Sequence, residues 1–185
     1  MLEHKLPFLY SFSTFVVPPP SDWPDWIHTT GYWFLDDAEM NWTPPESLLE
    51  FLEVEPKPVY IGFGSIVVPD PQGLTSCIIE AVLKSGVRAI LSKGWSDRNS
   101  TSVEKIEYPD CIYPLDKVPH DWLFPQVSAV VHHGGAGTTA AGLRAGRPTV
   151  IKPFFGDQFF WADRVEEVLF INLAWYWMLC KKSYC

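Results

Sequence analysis

The stretch AVVHHGGAGTTAAGLRAGRPTVI, residues Ala129–Ile151, decides the fold. An apolar strand runs into two histidines, a glycine-rich turn opens, a helix beginning near Thr138 follows, and Pro148 leads into a second apolar strand. Glycines at 134, 135 and 137 remove Cβ atoms where strand becomes helix, so backbone N–H groups can come close to an anion. The first amides of the helix have no intrahelical partner, and its dipole is positive at that end. The loop therefore reads as an anion cradle, with a tight turn that needs glycine for geometry alone as the plainer alternative.

Working outward, the same texture recurs upstream. PVYIGFGS is an apolar run ending in glycine and serine, which suits a buried strand entering a loop. Leu74, Cys77, Ile78, Ala81 and Val82 form the stripe of an amphipathic helix that starts at Asp70-Pro71 and stops at Gly86. VRAILS, DCIYPL and SAVVHH read as strands, PHDWLF as a short helix, and PTVIKP as the last strand. Strand and helix alternating in this way predict the α/β class, a Rossmann-like parallel sheet with helices on both faces. Ligands of such sheets bind at the carboxyl ends of the strands, where the loops after VYI and AVV both lie.

Before Pro58 the texture differs. VVPPPSDWPDW, NWTPPES and EVEPKPV hold proline at a density that blocks regular helix and central strand, so residues 1–57 read as an extended connector. One short helix is expected in PPESLLEFLEV, started by Ser47 or Pro45. The sheet-forming domain is expected over 58–167 and a divergent apolar tail over 168–185. With 185 residues and 47% hydrophobic content, one domain with a sizeable core is the natural size.

Charge and cysteines exclude other classes. The net charge is -8 and no Lys/Arg stripe gathers, so nucleic acid is not an expected partner. Cys77, Cys111, Cys180 and Cys185 show no CxxC spacing, which argues against a zinc site and fits a reducing, cytoplasmic compartment. No secretory signal is read at the N-terminus, and VLFINLAWYWMLC falls short of the ~20 residues of a membrane-spanning helix. Peripheral contact with a membrane stays compatible with these features.

Gly135, Gly137 and Ala140 also satisfy the letters of a dinucleotide fingerprint, with Asp157 following. That fingerprint needs its acidic residue at the end of the next strand, whereas Asp157 lies beyond Phe154, Phe155 and Gly156 in a loop. A P-loop fails because no Gly-Lys-Ser/Thr follows. Successive strand residues face opposite ways, so one of His132 and His133 meets a ligand, and His133 adjoins the glycines. The same divergence, with no third ligand at a usable spacing, argues against metal. Asp157 and Gln158 sit among aromatic residues, an arrangement suited to gripping hydroxyls, while Asp157 taken alone reads as a helix cap. Ser65 and Trp95 lie at the binding edge, while His120 and Asp121 could suggest acid–base work, a reading outweighed by that of a cap at a helix start.

Together, YIGFGS, KGW, KVPHDWLFP, AVVHHGGAGTTAAGLRAGRPTVI and PFFGDQFFWADRV resemble the nucleotide-binding half of a family 1 glycosyltransferase. Among its branches the chain is most similar to the sterol 3-beta-glucosyltransferases, over about Tyr10 to Glu167, and WPDWIHTTGYWFLDD resembles the end of the acceptor domain and the linker there.

The resemblance implies the GT-B fold, two Rossmann-like domains facing a cleft, of which this chain holds the C-terminal half. It implies that His133 and the amides of Gly135, Ala136, Gly137 and Thr138 hold the diphosphate of UDP-glucose. It further implies that Asp157 and Gln158 contact glucose hydroxyls, Ser65 lies near the phosphates and the backbone around Val118 reads uracil. Trp95 belongs to the same UDP-sugar set. A stacking tryptophan near Leu115 and a ribose-binding glutamate near Ala141, present in plant relatives, are absent. The implied reaction transfers glucose with inversion to a sterol 3-beta-hydroxyl, with no cofactor and no metal. Its catalytic histidine belongs to an acceptor domain this chain almost wholly lacks, and the sequence after Glu167 departs from the family, as in a truncated or misread product. A non-catalytic nucleotide-sugar-binding remnant, or one half of a split enzyme, is the alternative. A dehydrogenase ranks third.

Overall fold

In the computed structural model, residues 5–34, 42–93 and 106–169 are described. Trp95 and the tail beyond 169 lie outside them.

The centre is a five-stranded, all-parallel sheet. Its strands are β3 (Val59–Gly62), β4 (Ala89–Ser92), β5 (Ile112–Leu115), β6 (Ala129–His132) and β7 (Thr149–Ile151), ordered β5-β4-β3-β6-β7. The chain builds outward from β3 through β4 to β5, then returns to the other side of β3 as β6. The order reverses between β3 and β6, which pair from Val59↔Ala129 to Gly62↔His132. The loops leaving their carboxyl ends flank the crevice where doubly wound sheets bind ligands.

Helices cover both faces because the strands alternate. Tyr60, Ile90 and Val130 point into a core with Leu48, Leu52, Leu123, Phe124 and Ala141. Their neighbours Ile61, Ala89 and Leu91 point the other way, against Ile78 and Val82. The first core lies under α1 (Glu46–Glu53), α3 (His120–Leu123) and α4 (Ala136–Arg144), the second under α2 (Pro71–Ser85). The closing helix α5 (Gln158–Leu169) packs Trp161 and Val165 against Ile151 of β7.

Local signals explain several boundaries. Pro71 stands in the first turn of α2, Asp70 caps it, and Gly86 ends it with φ 66°. Helix α1 starts at Glu46 with Pro45 at its cap and no side-chain capping bond. Ser47 instead shares a 2.9 Å hydrogen bond with the Tyr113 hydroxyl. Helix α4 begins at Ala136, two positions before the expected Thr138, because Gly135 with extended backbone occupies the cap.

The connector before Pro58 holds more structure than its prolines suggest. Besides α1 it contains a parallel ribbon of β1 (Phe8–Tyr10) and β2 (Ile27–Thr29). The prolines at 18–20 and 24 stand between these strands rather than in them. Tyr10 stacks on Trp23 across the ribbon at 4.7 Å. Arg88, entering β4, donates to the carbonyls of Phe51, Val54 and Pro56, binding the end of α1 to the sheet.

Candidate functional site

The loop after β6 is built by its two histidines. His132 is fully buried, and its Nδ1 accepts the Gly134 N–H at 3.0 Å. Gly134 takes φ 92°, a conformation open to glycine. A Cβ there would meet Ile151 Cγ2 at 2.7 Å and the Gln158 carbonyl oxygen at 3.0 Å. The next ring diverges. The imidazole centroids of His132 and His133 are 6.1 Å apart with planes at 79°.

His133 lies between two glycines from different loops. Cβ atoms built on Gly64 and Gly135 would fall 3.1 Å from its Cε1 and 2.5 Å from its Nε2, so both loops admit the ring by lacking side chains. Its Nδ1 is buried without a protein partner. Burial favours the neutral imidazole and lowers its pKa, against the opposing pull of the Asp157 carboxylate. The more deeply buried His132, with His133 and His120 nearby, is lowered to about 3.

Beside His133 the N-terminus of α4 is open. Its cap residue Gly135 supplies no side-chain bond. The first amide seen bonding within the helix is that of Thr139, which donates to the Gly135 carbonyl at 2.9 Å, so those of Ala136, Gly137 and Thr138 precede the helical ladder. A Cβ on Gly137 would meet nothing within 4 Å, so space stands clear in front of this end. Exposed Ala136 and Gly137 border it, and half-buried Thr138 closes it.

On the other side of Gly64 lies an open cleft of about 430 Å³, lined by Ser65 and Val118 together with Trp42, Tyr60, Lys93 and His120. Ser65 is exposed, and Val118 packs partly against the first core. The structure thus brings Ser65 and Val118 into one cleft, with His133 at its border through Gly64 and the open helix end beyond.

Asp157 and Gln158 divide their work. The exposed Asp157 does not cap α5 with its side chain. Its Oδ2 accepts the Trp161 indole N–H at 3.0 Å, and its backbone carbonyl accepts the Trp161 amide. Gln158 is buried, and its Oε1 accepts the amides of Phe154 and Phe155 at 2.8 and 3.1 Å. The Asp157 carboxylate therefore stays accessible, while Gln158 keeps its side-chain NH₂ beyond the bonds that close the loop.

Of two further cleft residues, Tyr60 carries no mark of its own in the sequence, and His120 reads there first as part of a helix cap. Tyr60 and His120 share a hydrogen bond of 3.3 Å, and His120 stacks on Phe124 at 4.5 Å. Burial raises the Tyr60 pKa and lowers that of His120, leaving both neutral in the cleft wall. Their only sequence signal is the Pro-His-Asp start of α3, which suggests a helix boundary and no contact with β3. Among the described residues, no group of three His, Cys, Asp or Glu side chains is placed to hold a metal ion.

Residues 95–170 match the family model described as the C-terminal domain of erythromycin biosynthesis protein CIII-like proteins. A sterol 3-beta-glucosyltransferase of Cryptococcus neoformans is 58% identical over 186 residues, covering 91% of this chain and 12% of the relative. That of Yarrowia lipolytica is 56% identical over 175 residues with the same two coverages. The chain thus spans about an eighth of the length of these curated relatives. The solved glycotransferase of kitacinnamycin superposes with a TM-score of 0.65 at 21% identity, over 86% of this chain and 39% of that one. A UDP-glucose: anthocyanidin 3-O-glucosyltransferase in complex with UDP gives 0.60 at 21% identity, over 77% and 33%. These structural likenesses establish the shared fold.

Proposed function

We propose, from the premise that this chain belongs to the glycosyltransferase family of the sterol 3-beta-glucosyltransferases, that it forms the UDP-glucose side of a glucosyl transfer to a sterol. The observation that carries the reading is the uncapped N-terminus of α4 with His133 beside it, the ring's Nε2 lying toward Gly135. A diphosphate supplies what the helix end lacks, an acceptor for open amides, and can accept an N–H from the adjacent imidazole as well. Ser65 would stand near the phosphates, the backbone at Val118 near uracil, and Asp157 with Gln158 toward the glucose hydroxyls.

Chemically, the acceptor hydroxyl attacks the anomeric carbon as its bond to the diphosphate breaks, inverting that centre. The acceptor proton goes to a base, and UDP leaves. In this reading the charge growing on UDP is met by the helix end, the loop amides and His133, without a metal. A helix terminus contributes ~0.3–2 kcal/mol to such an anion, and each hydrogen bond to a charged group about 1.5–3 kcal/mol. The base and sterol pocket are assigned to the larger part of the relatives that this chain does not cover. The chain alone is then a donor binder with little or no turnover, and glucosyl transfer to ergosterol by the purified protein would overturn that division. For location we propose the cytoplasm, with contact to the membranes that hold the acceptor. Among the described residues no helix is long and apolar enough to cross a membrane.

Calorimetric titration with UDP and UDP-glucose tests the donor site. His133→Ala is expected to weaken both by about 10- to 100-fold, the worth of one charge-assisted hydrogen bond. Equal affinities in variant and wild type would sink the assignment.

A further inference from the structure

His132 has no place in the donor contacts above, yet it is among the most deeply buried polar side chains described. Its exposure is 0% and its Nε2 has no protein partner. Burying such a group is costly unless it performs something an apolar side chain cannot. Its single hydrogen bond is the 3.0 Å acceptance of the Gly134 N–H at Nδ1. That bond fixes the tautomer, since an accepting Nδ1 leaves the proton on Nε2. Gly134, held at φ 92°, comes so close to Ile151 and the Gln158 carbonyl that no Cβ fits between them. Gln158 in turn closes its own loop through the amides of Phe154 and Phe155. One imidazole nitrogen therefore stands at the start of a chain of contacts from the end of β6, through the glycine loop, to the loop after β7.

We propose that His132 is a positioning residue, one that sets the glycine loop against the Gln158 loop by accepting the Gly134 N–H and so aims the amides of α4 at the diphosphate. The aiming step rests on the donor-site reading, while the latch between the two loops does not. Burial keeps the ring neutral, with its pKa lowered to about 3, so Nδ1 remains an acceptor at ordinary pH.

Two substitutions separate this role from packing. His132→Asn keeps an acceptor at the position of Nδ1 while leaving a cavity where the rest of the ring stood. His132→Leu fills similar space and offers no acceptor. The expected result is that the asparagine variant melts at lower temperature yet binds UDP within about threefold of wild type. The leucine variant, though folded by circular dichroism, binds at least about tenfold more weakly and shifts the amide resonances of residues 135–138. A residue that only packs would give the opposite order, and that order would overturn the proposal.

A second measurement needs neither a variant nor UDP. In the ¹⁵N-labelled chain, the N–H···N bond predicts a resolvable coupling between the His132 Nδ1 and Gly134 amide nitrogens, with slow Gly134 amide exchange. Absence of the coupling, with rapid exchange, overturns the latch even if the leucine variant fails to fold. Failure of wild type to bind UDP overturns the donor-site reading instead, and the coupling then decides the latch by itself.

Discussion

Helices α2 and α4 occupy equivalent places, each following a strand that borders the reversal of the sheet order, yet their N-termini are finished in opposite ways. In α2 the chain closes its own end. Asp70 Oδ1 accepts the Gly73 amide at 2.8 Å, Pro71 removes one donor, and the Thr75 hydroxyl donates to the Pro71 carbonyl at 2.9 Å. In α4 the cap is a glycine with no side-chain bond, and the space before Gly137 is clear. Two helix ends with the same dipole thus differ in whether an anion is already present. A carboxylate of the chain fills one end, and the other receives no side-chain acceptor at its cap.

The sharpest way to break this contrast is to close the open end. Gly135→Asp places a carboxylate at the cap of α4 and a Cβ where His133 Nε2 stands at 2.5 Å. UDP affinity is expected to fall by about a hundredfold or more, and calorimetry showing near wild-type binding would remove the open end from the site. A milder version is Gly137→Ala. The substitution stabilises the helix by up to ~1 kcal/mol, yet its methyl enters the clear space. Thermal melting should rise while UDP affinity drops roughly tenfold, and a rise in both would mean that the space is not where the ligand lies. The smallest effect is expected from opening the closed end. Asp70→Ala should cost about 1 kcal/mol in chemical denaturation and leave UDP binding unchanged. A matching loss of UDP binding would show that the two ends are not independent.

The alternation of strands and helices was legible because it is written in local chemistry. Val59–Gly62 and Ala89–Ser92 are short apolar runs bounded by turn residues, and Asp70-Pro71 and Gly86 mark the two ends of α2. The ribbon of β1 and β2 was not, since Phe8 pairs with Ile27 across intervening prolines and strands this short carry no periodicity. In the site, the glycine loop and the divergence of the two histidines follow from strand geometry alone. The bond between Tyr60 and His120 joins residues 60 positions apart and leaves no local mark. Asp157 shows a different kind of miss. Its spacing of four to Trp161 places both on one helical face, so an indole N–H competed with the helix amides for the carboxylate and won.

That indole has a second attachment. Phe12 meets the Trp161 ring edge-on at 6.2 Å, and Val16 is buried in the same cluster with Trp161, Val165 and Ile151. Trp161 thus touches the lead-in segment on one side and holds the Asp157 carboxylate on the other. The Phe12–Val16 segment and the Asp157 carboxylate therefore share one neighbour, the Trp161 ring, although they stand far apart in sequence. The proline-rich lead-in is thus anchored to the sheet domain at two separate places, by this ring and by Arg88 at the end of α1.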